Sequence, residues 1–385
     1  MGIIGCLLGF LVVIIFCYKD WSVYIATIVG AAVVMLFNWL PFAGTLTGAF
    51  VDGMFVPIKS FFFILLFGNI QAKIYSVSGA AYAIADTIMS ALLKPGASNT
   101  RKNVIAISVL LVIGIVLCMG GINASVFIVL MYPIALTIFE HCDIPKRFIL
   151  GVLGACSYTF TLTMPGSPQV TNVAAMSALG TDAAVALVPG LVGAAVEIAV
   201  IIVLLNLLIN RARARGEHFA LHPLDPHYDE NSPRPRFLVA LLPLIVLFVL
   251  FNVVGMDINI CIIISTALSV ILFKDQLHGS SLRNLLSTGA SESIHMSMTV
   301  AAICGFAGVV TETEAFTQML NAIISIDISP MLICAIVVAV MCMLTGGSST
   351  GQLISLPLIA PKLTELGLSV GAIHRIGCFA ATTLD

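Results

Sequence analysis

Charged side chains are scarce: 17 basic and 19 acidic residues make up only 9% of the 385-residue chain. A water-soluble domain typically carries about 25%, and so few charges cannot cover the surface of a soluble globule of this length. A soluble enzyme, a nucleic-acid binder and a secreted disulfide scaffold are excluded together. The net charge of −2 points to no partner, because the charges gather in a few loops. Metal-ligand spacing is also lacking. Ten cysteines are present, but none forms a C-x-x-C or a Cys/His cluster with zinc spacing. Cys6, Cys17, Cys118, Cys261, Cys304 and Cys334 lie inside apolar runs and read as small buried hydrophobes. No H-E-x-x-H occurs, and no cofactor or metal is expected. The N-terminus has neither a basic n-region nor a small-x-small cleavage site, so it reads as a retained first helix.

What is abundant is hydrocarbon. Hydrophobic residues reach 59% and mean hydropathy is +1.11, which defines an all-α polytopic membrane protein. A bilayer core of about 30 Å needs roughly 20 apolar residues, fewer where a helix is broken. The expected spans are 3–18, 22–38, 54–75, 104–119, 122–139, 148–163, 185–209, 237–254, 258–273, 290–312, 330–344, 348–361 and 369–384. The polar stretch 210–236 is flanked by Arg211, Arg213, Arg215, Arg234 and Arg236, and the positive-inside rule makes it a cytoplasmic linker. Lys94, Arg101, Lys102, Lys146, Arg147, Lys274 and Arg283 then fall inside, Asp52, Glu312 and Glu314 outside, and the N-terminus starts outside. The segment 79–93 reads as an interfacial helix without assigned chemistry.

An internal repeat organises the chain into a first transmembrane repeat (1–209), the linker (210–236) and a second repeat (237–385). Segments 53–80 and 289–316 align without gaps, so that Gly53 faces Gly289 and Ala72 faces Gly308. CMGGINASVFIVLMYP (118–133) resembles CMLTGGSSTGQLISLP (342–357), and KRFILGVLGACSYTFTL (146–162) is echoed by HRIGCFAATTL (374–384). The span 54–75 runs inward and its partner 290–312 outward, so the repeats are inverted, with broken or re-entrant helical hairpins. That arrangement is characteristic of secondary transporters. By the same symmetry the second half is expected to continue for roughly 50 residues beyond Asp385, marking the chain as C-terminally truncated.

Three places carry candidate chemistry. In Met164–Asn172 two prolines and Gly166 must end a helix; Ser167, Gln169 and Asn172 then offer polar groups at the next helix start, where N–H groups favour an anion. The bland alternative is an interfacial loop. The glycine-rich tips, Gly120, Gly121, Asn123 and Ser125 in one half and Gly346, Gly347, Ser348, Ser349 and Thr350 in the other, permit tight hairpins and close backbone approach. Their bland alternative is small-residue helix packing. The third group is the ionisable residues at or inside spans: Asp52, Lys59, Glu197, Glu292, His295 and His374. Glu292 and His295 stand at i, i+3 and are the candidates for proton coupling. No arginine is singled out for the carboxylate, since helix termini are expected to suffice.

The TMPGSPQVTN break (163–172), the TGGSSTGQ tip (345–352), the GFAGVVTETEAF segment (305–316) and the closing AATTLD (380–385) resemble the gluconate permease family of proton symporters, within the ion-transporter superfamily. The resemblance runs over nearly the whole chain. It implies a bacterial inner-membrane symporter for a small monocarboxylate: gluconate, another sugar acid, 3-hydroxybutyrate or a D-amino acid. It carries binding roles to Pro165–Asn172 and Gly346–Ser349. The expected partners are that organic anion, a proton or sodium ion, membrane lipid and a second copy of the chain. The rivals are a sodium-coupled di- or tricarboxylate carrier and, from another class, an intramembrane enzyme or a channel.

Overall fold

The computed structural model describes residues 2–92, 99–220, 222, 234–277, 282–324, 326, 328–345 and 347–383. Among them there is no β-strand, and four helices are long and apolar enough to cross a membrane: Phe42–Val77, Asn99–Met119, Leu187–Ala214 and Leu282–Thr311. Eight shorter apolar helices accompany them. The protein is a polytopic helical membrane protein.

In chain order the elements begin with α1 (Gly2–Tyr18), α2 (Val23–Asn38) and α3 (Phe42–Thr45), then a π turn (Leu46–Phe50) leading into α4 (Val51–Val77). There follow α5 (Ala80–Leu92), α6 (Asn99–Met119), α7 (Ala124–Cys142), α8 (Ile149–Ser157), α9 (Phe160–Thr163), α10 (Val170–Leu179) and α11 (Leu187–Ala214). The second half contains α12 (Phe237–Asn252), α13 (Ile258–Leu272), α14 (Leu282–Thr311), α15 (Glu314–Ile324), α16 (Pro330–Thr345), α17 (Ser348–Glu365) and α18 (Val370–Ala381). A long helix, a short one, a helix ending at a Gly-Gly tip and two further helices thus occur twice, as α4 to α8 and as α14 to α18.

Twelve of the thirteen expected spans coincide with one helix each. The exception, 148–163, breaks at Tyr158–Thr159. The cause is a run of hydroxyls: Ser157 Oγ, Thr159 Oγ1 and Thr161 Oγ1 donate to the carbonyls of Leu153, Ala155 and Ser157. Back-bonding of this kind bends helices. α15 was not among the expected spans because its 11 residues are amphipathic and too short to cross. Of the linker 210–236, residues 221 and 223–233 lie outside the described residues.

The chain divides into two compact units. The first comprises Met1–Phe62, Val170–Ala186 and Ser293–Asp385. Its apolar core joins Val34 and Met35 of α2, Phe306 and Val309 of α14, Val337 and Met341 of α16, Leu356 and Ile359 of α17 and Ile373 of α18. α14 meets α4 through small residues: a Cβ added at Gly53 would stand 2.5 Å from the Cys304 carbonyl oxygen, and one at Gly308 2.3 Å from that of Ala49. Close packing through small residues is how helices associate where lipid is as apolar as they are.

The second unit comprises Phe63–Gln169 and Leu187–Glu292. Here α6 is the most enclosed span, with 61% of its apolar window buried. Ile107, Leu110 and Ile113 pack with Phe127 and Phe139 of α7, Val152 of α8 and Leu244 of α12. Polar pairs join its helices: Asn103 Nδ2 donates to Asn210 Oδ1 at 2.9 Å, and Tyr75 OH to the Ala240 carbonyl at 2.7 Å. By contrast only 11% of the α11 window is buried, and Val192, Val196, Val200 and Leu207 are exposed, as a lipid-facing helix requires. Gly289, aligned with Gly53 in sequence, lies against Ile70, where an added Cβ would come within 3.0 Å.

Candidate functional site

The break after α9 is built as its prolines and glycine dictate. Gly166 adopts φ +80°, a left-handed conformation suited to glycine, and its carbonyl accepts from Asn252 Nδ2 at 3.1 Å. Ser167 Oγ donates to the Thr161 carbonyl at 2.5 Å. Gln169 Nε2 donates to the carbonyls of Cys118 and Ile122 at 2.8 and 2.9 Å, and its Oε1 accepts from the Ala124 N–H at 3.3 Å. Gln169 therefore stitches together the two sides of the first Gly-Gly tip, all within the second unit. Gly120 and Gly121 approach Leu244 and Leu247, and Asn123 is buried. Ser125 falls in the first turn of α7, but its side chain is outside what the structure describes.

The other candidates meet in the first unit. Thr171, second residue of α10, and Ser348, first residue of α17, bring two helix starts together: their hydroxyl oxygens are 3.2 Å apart and both residues are buried. The first N–H groups of a helix have no partner within it, and the macrodipole adds positive potential there. Ser349 and Thr350 follow in the same buried turn, Thr350 Oγ1 lying 3.1 Å from the Cys304 sulfur. Gly347 caps α17 in extended conformation, and Gly346 lies outside the described residues.

Asn172 and α18 complete the cluster. Asn172 Oδ1 accepts from His374 Nε2 at 2.9 Å and from Arg375 Nη1 at 3.3 Å, with the Cys378 thiol at 3.9 Å. Arg375 also donates through Nη2 to the carbonyls of Ala183 and Val185, at 3.4 and 2.9 Å. His374 Nδ1 lies 2.6 Å from Thr181 Oγ1. Asn172 and His374 are fully enclosed and Arg375 is 3% exposed. One turn into α17, Gln352 is also fully enclosed; the weak Cys378 thiol lies against its amide, which makes no well-formed hydrogen bond among the described residues. A buried unsatisfied amide calls for an explanation.

Sequence reasoning missed Arg375. It recognised the span 369–384 and the histidine in it, yet expected helix termini to hold a carboxylate without an arginine. The signal was available, since an ionisable residue inside a span is a functional candidate by default.

The remaining ionisable candidates stand elsewhere. Glu292 pairs with Lys73 at 2.6 Å, both partly exposed. His295 is exposed, and its Nδ1 lies 3.3 Å from the Tyr24 hydroxyl. Glu197 accepts from Thr163 Oγ1 at 2.9 Å. Asp52 and Glu312 line a cavity of about 240 Å³ that Thr350 also lines, and Lys59 is exposed. Among the described residues no group of His, Cys, Asp and Glu side chains is placed to hold a metal ion. Residues 347–351 spell G-x-S-x-G, but Ser349 sits in the first turn of a helix that no strand precedes, so the strained strand-to-helix elbow that exposes a nucleophile is not formed.

No protein-family model matches the chain. It is similar to a protein of Bacillus subtilis (strain 168) described as uncharacterized transporter YxjC, at 25% identity over 392 aligned positions that cover 90% of this chain and 80% of the relative.

Proposed function

We propose that the protein is a secondary active transporter that moves a small monocarboxylate, such as gluconate, a related sugar acid or 3-hydroxybutyrate, across the bacterial inner membrane together with a proton. The observation that carries this reading is the enclosed cluster in which Arg375 and His374 meet Asn172 at the start of α10, where the neighbouring Thr171 meets Ser348 at the start of α17. A guanidinium buried at membrane depth is expensive and matches a carboxylate in its two-pronged geometry. The two helix starts that meet at Thr171 and Ser348 add N–H donors, as in carriers with discontinuous helices. Gln352, Ser348 and Ser349 are suited to the hydroxyls of such an acid. The relative's description as a transporter supports transport in general. The duplicated helix series supports two inverted repeats, each with a broken hairpin, working by alternating access.

Moving one monoanion with one proton is electroneutral, so the pH gradient alone drives accumulation. With two cations the membrane potential would add about 2.3 kcal/mol per 100 mV. One observation favours a second reading, a sodium-coupled di- or tricarboxylate carrier: the cavity beside Thr350 carries two carboxylates, Asp52 and Glu312, at its walls. Uptake of labelled gluconate and 3-hydroxybutyrate into proteoliposomes, with choline in place of sodium and an imposed inward proton gradient, separates the two. Saturable uptake that collapses with a protonophore supports the proton reading. Uptake that returns only with sodium overturns it.

A further inference from the structure

The geometry points to His374 as the group that binds the transported proton, with Asn172 as the hinge of a three-way contact that makes proton binding and anion binding favour one another. This rests on the carboxylate-transport reading of the same cluster and assigns its coupling step.

The hydrogen-bond pattern fixes the resting state. Asn172 Nδ2 donates to the Ala183 carbonyl at 3.3 Å and lies 3.8 Å from Met176 Sδ, which turns Oδ1 toward α18. Oδ1 only accepts, so the His374 Nε2 facing it carries a hydrogen. A neutral ring then has a bare Nδ1, which accepts from the Thr181 hydroxyl. A proton arriving at Nδ1 needs only that hydroxyl to rotate, because Thr181 Oγ1 accepts as readily as it donates. The ring can thus gain and lose a proton between two partners already in place. A histidine hydrogen-bonded to groups that only donate could not do this.

The neighbour makes the step conditional. Arg375 binds the same Asn172 oxygen, so protonating His374 puts two cations around one carbonyl group in an enclosed site. A carboxylate entering beside the guanidinium relieves that repulsion, and the imidazolium in turn strengthens the carboxylate's hold. Linkage requires the effect to be reciprocal. Loaded with both, the site carries the same charge as when empty. On the far side the proton leaves Nδ1 for solvent and the anion is released with it.

The other titratable or charged groups on elements packed against α18 leave His374 this role. On α16 they are Cys334 and Cys342, both buried, and on α10 there are none. α17 contributes Lys362 and Glu365, paired with each other at 3.1 Å and exposed near its C-terminal end. Asp182, in the turn after α10, is exposed, and α18 itself adds Arg375 and Cys378.

The test is binding of gluconate and of 3-hydroxybutyrate to the purified chain in lipid nanodiscs by calorimetry, from about pH 5 to about pH 8, the range histidine spans. For wild type, the Kd of the bound acid is expected to rise about tenfold per pH unit on the alkaline side, as uptake of one proton per anion requires. In His374→Gln, which keeps a donor toward Asn172, the slope should vanish. Thr181→Val removes the acceptor for the new N–H and should shift the wild-type curve to lower pH. A full slope in His374→Gln overturns the assignment. If that variant binds nothing at any pH, Thr181→Val decides, and an unmoved curve overturns it. Wild type that binds either acid with no pH dependence removes the proton role and leaves the carboxylate reading standing. Wild type that binds neither acid removes both.

Discussion

His374 Nε2 and Asn172 Oδ1 stand 2.9 Å apart, although 202 positions separate them in the chain, and both side chains are fully enclosed. That contact ties the start of α10 to the last described helix. Asn172 occupies the first turn of α10, so the residue that orients the histidine also belongs to a helix start. Replacing it with alanine removes the shared acceptor for two buried donors. Losing a hydrogen bond to a charged partner costs about 1.5–3 kcal/mol. Asn172→Ala is accordingly expected to weaken carboxylate binding by about tenfold to a hundredfold, read by calorimetry and by the concentration dependence of uptake.

Arg375 offers a sharper comparison. Lysine keeps the charge but loses the planar fork, which here reaches Asn172 Oδ1 and the Ala183 and Val185 carbonyls together. Arg375→Gln should abolish saturable uptake, and Arg375→Lys should retain only a small part of it. Equal uptake by wild type and Arg375→Lys would show that a diffuse positive charge suffices. Thermal unfolding in detergent, run alongside, separates lost binding from lost folding.

His295→Ala is expected to leave the pH dependence of uptake intact. The imidazole is exposed and engaged with the Tyr24 hydroxyl. Its i, i+3 neighbour Glu292 pairs with Lys73. A variant that still exchanges substrate but no longer accumulates it against a proton gradient would return the coupling role to His295.

At Gly53 the expectation concerns packing. A valine there places Cβ against the Cys304 carbonyl, and overpacking of this sort costs typically about 1–3 kcal/mol. Gly48 serves as the control, since nothing lies within 4 Å of a Cβ added there. Gly53→Val should lower the unfolding midpoint in detergent, while Gly48→Ala should leave it nearly unchanged.

Outside the membrane, Asp143 anchors the segment that follows α11. Its Oδ2 is 2.8 Å from His218 Nδ1 and its Oδ1 accepts from the Phe219 N–H at 3.0 Å. The hydrogen bond from His218, chiefly, and then that from Phe219 hold its carboxyl below the usual range. A depressed carboxylate contributes stability that is present above its unfolded value, about 3.9, and is lost as pH falls through the lower folded value. The protection factor of the Phe219 amide, its exchange rate relative to an unstructured peptide at the same pH, should therefore be raised at neutral pH and lost in acid. In Asp143→Ala that protection should be absent throughout.

Much of this architecture was legible because hydropathy and the length of a bilayer leave few choices. The spans, the Pro-Gly break and the paired Gly-Gly tips follow from apolar runs and from residues that end helices. The division of labour at those tips did not. Gln169 and Asn172 are one helical turn apart in sequence and equally polar, yet Gln169 serves the backbone of the first tip while Asn172 meets His374 and Arg375. Which role each takes depends on carbonyls 47 to 51 positions away in one case and on α18 in the other. Arg375 shows the opposite situation: span assignment alone placed it inside the membrane, and its significance follows from the expense of a charge there. The break at Tyr158 required seeing that hydroxyls at 157, 159 and 161 all bond back to the chain.

The most direct test of the central claim is proton movement on addition of substrate alone. Proteoliposomes holding a pH-sensitive dye, with no imposed gradient and no sodium, receive labelled gluconate or 3-hydroxybutyrate outside. The account predicts acidification of the lumen in step with uptake of the label, one proton for each anion. Saturable uptake without acidification, or uptake that appears only when sodium is added, would contradict it.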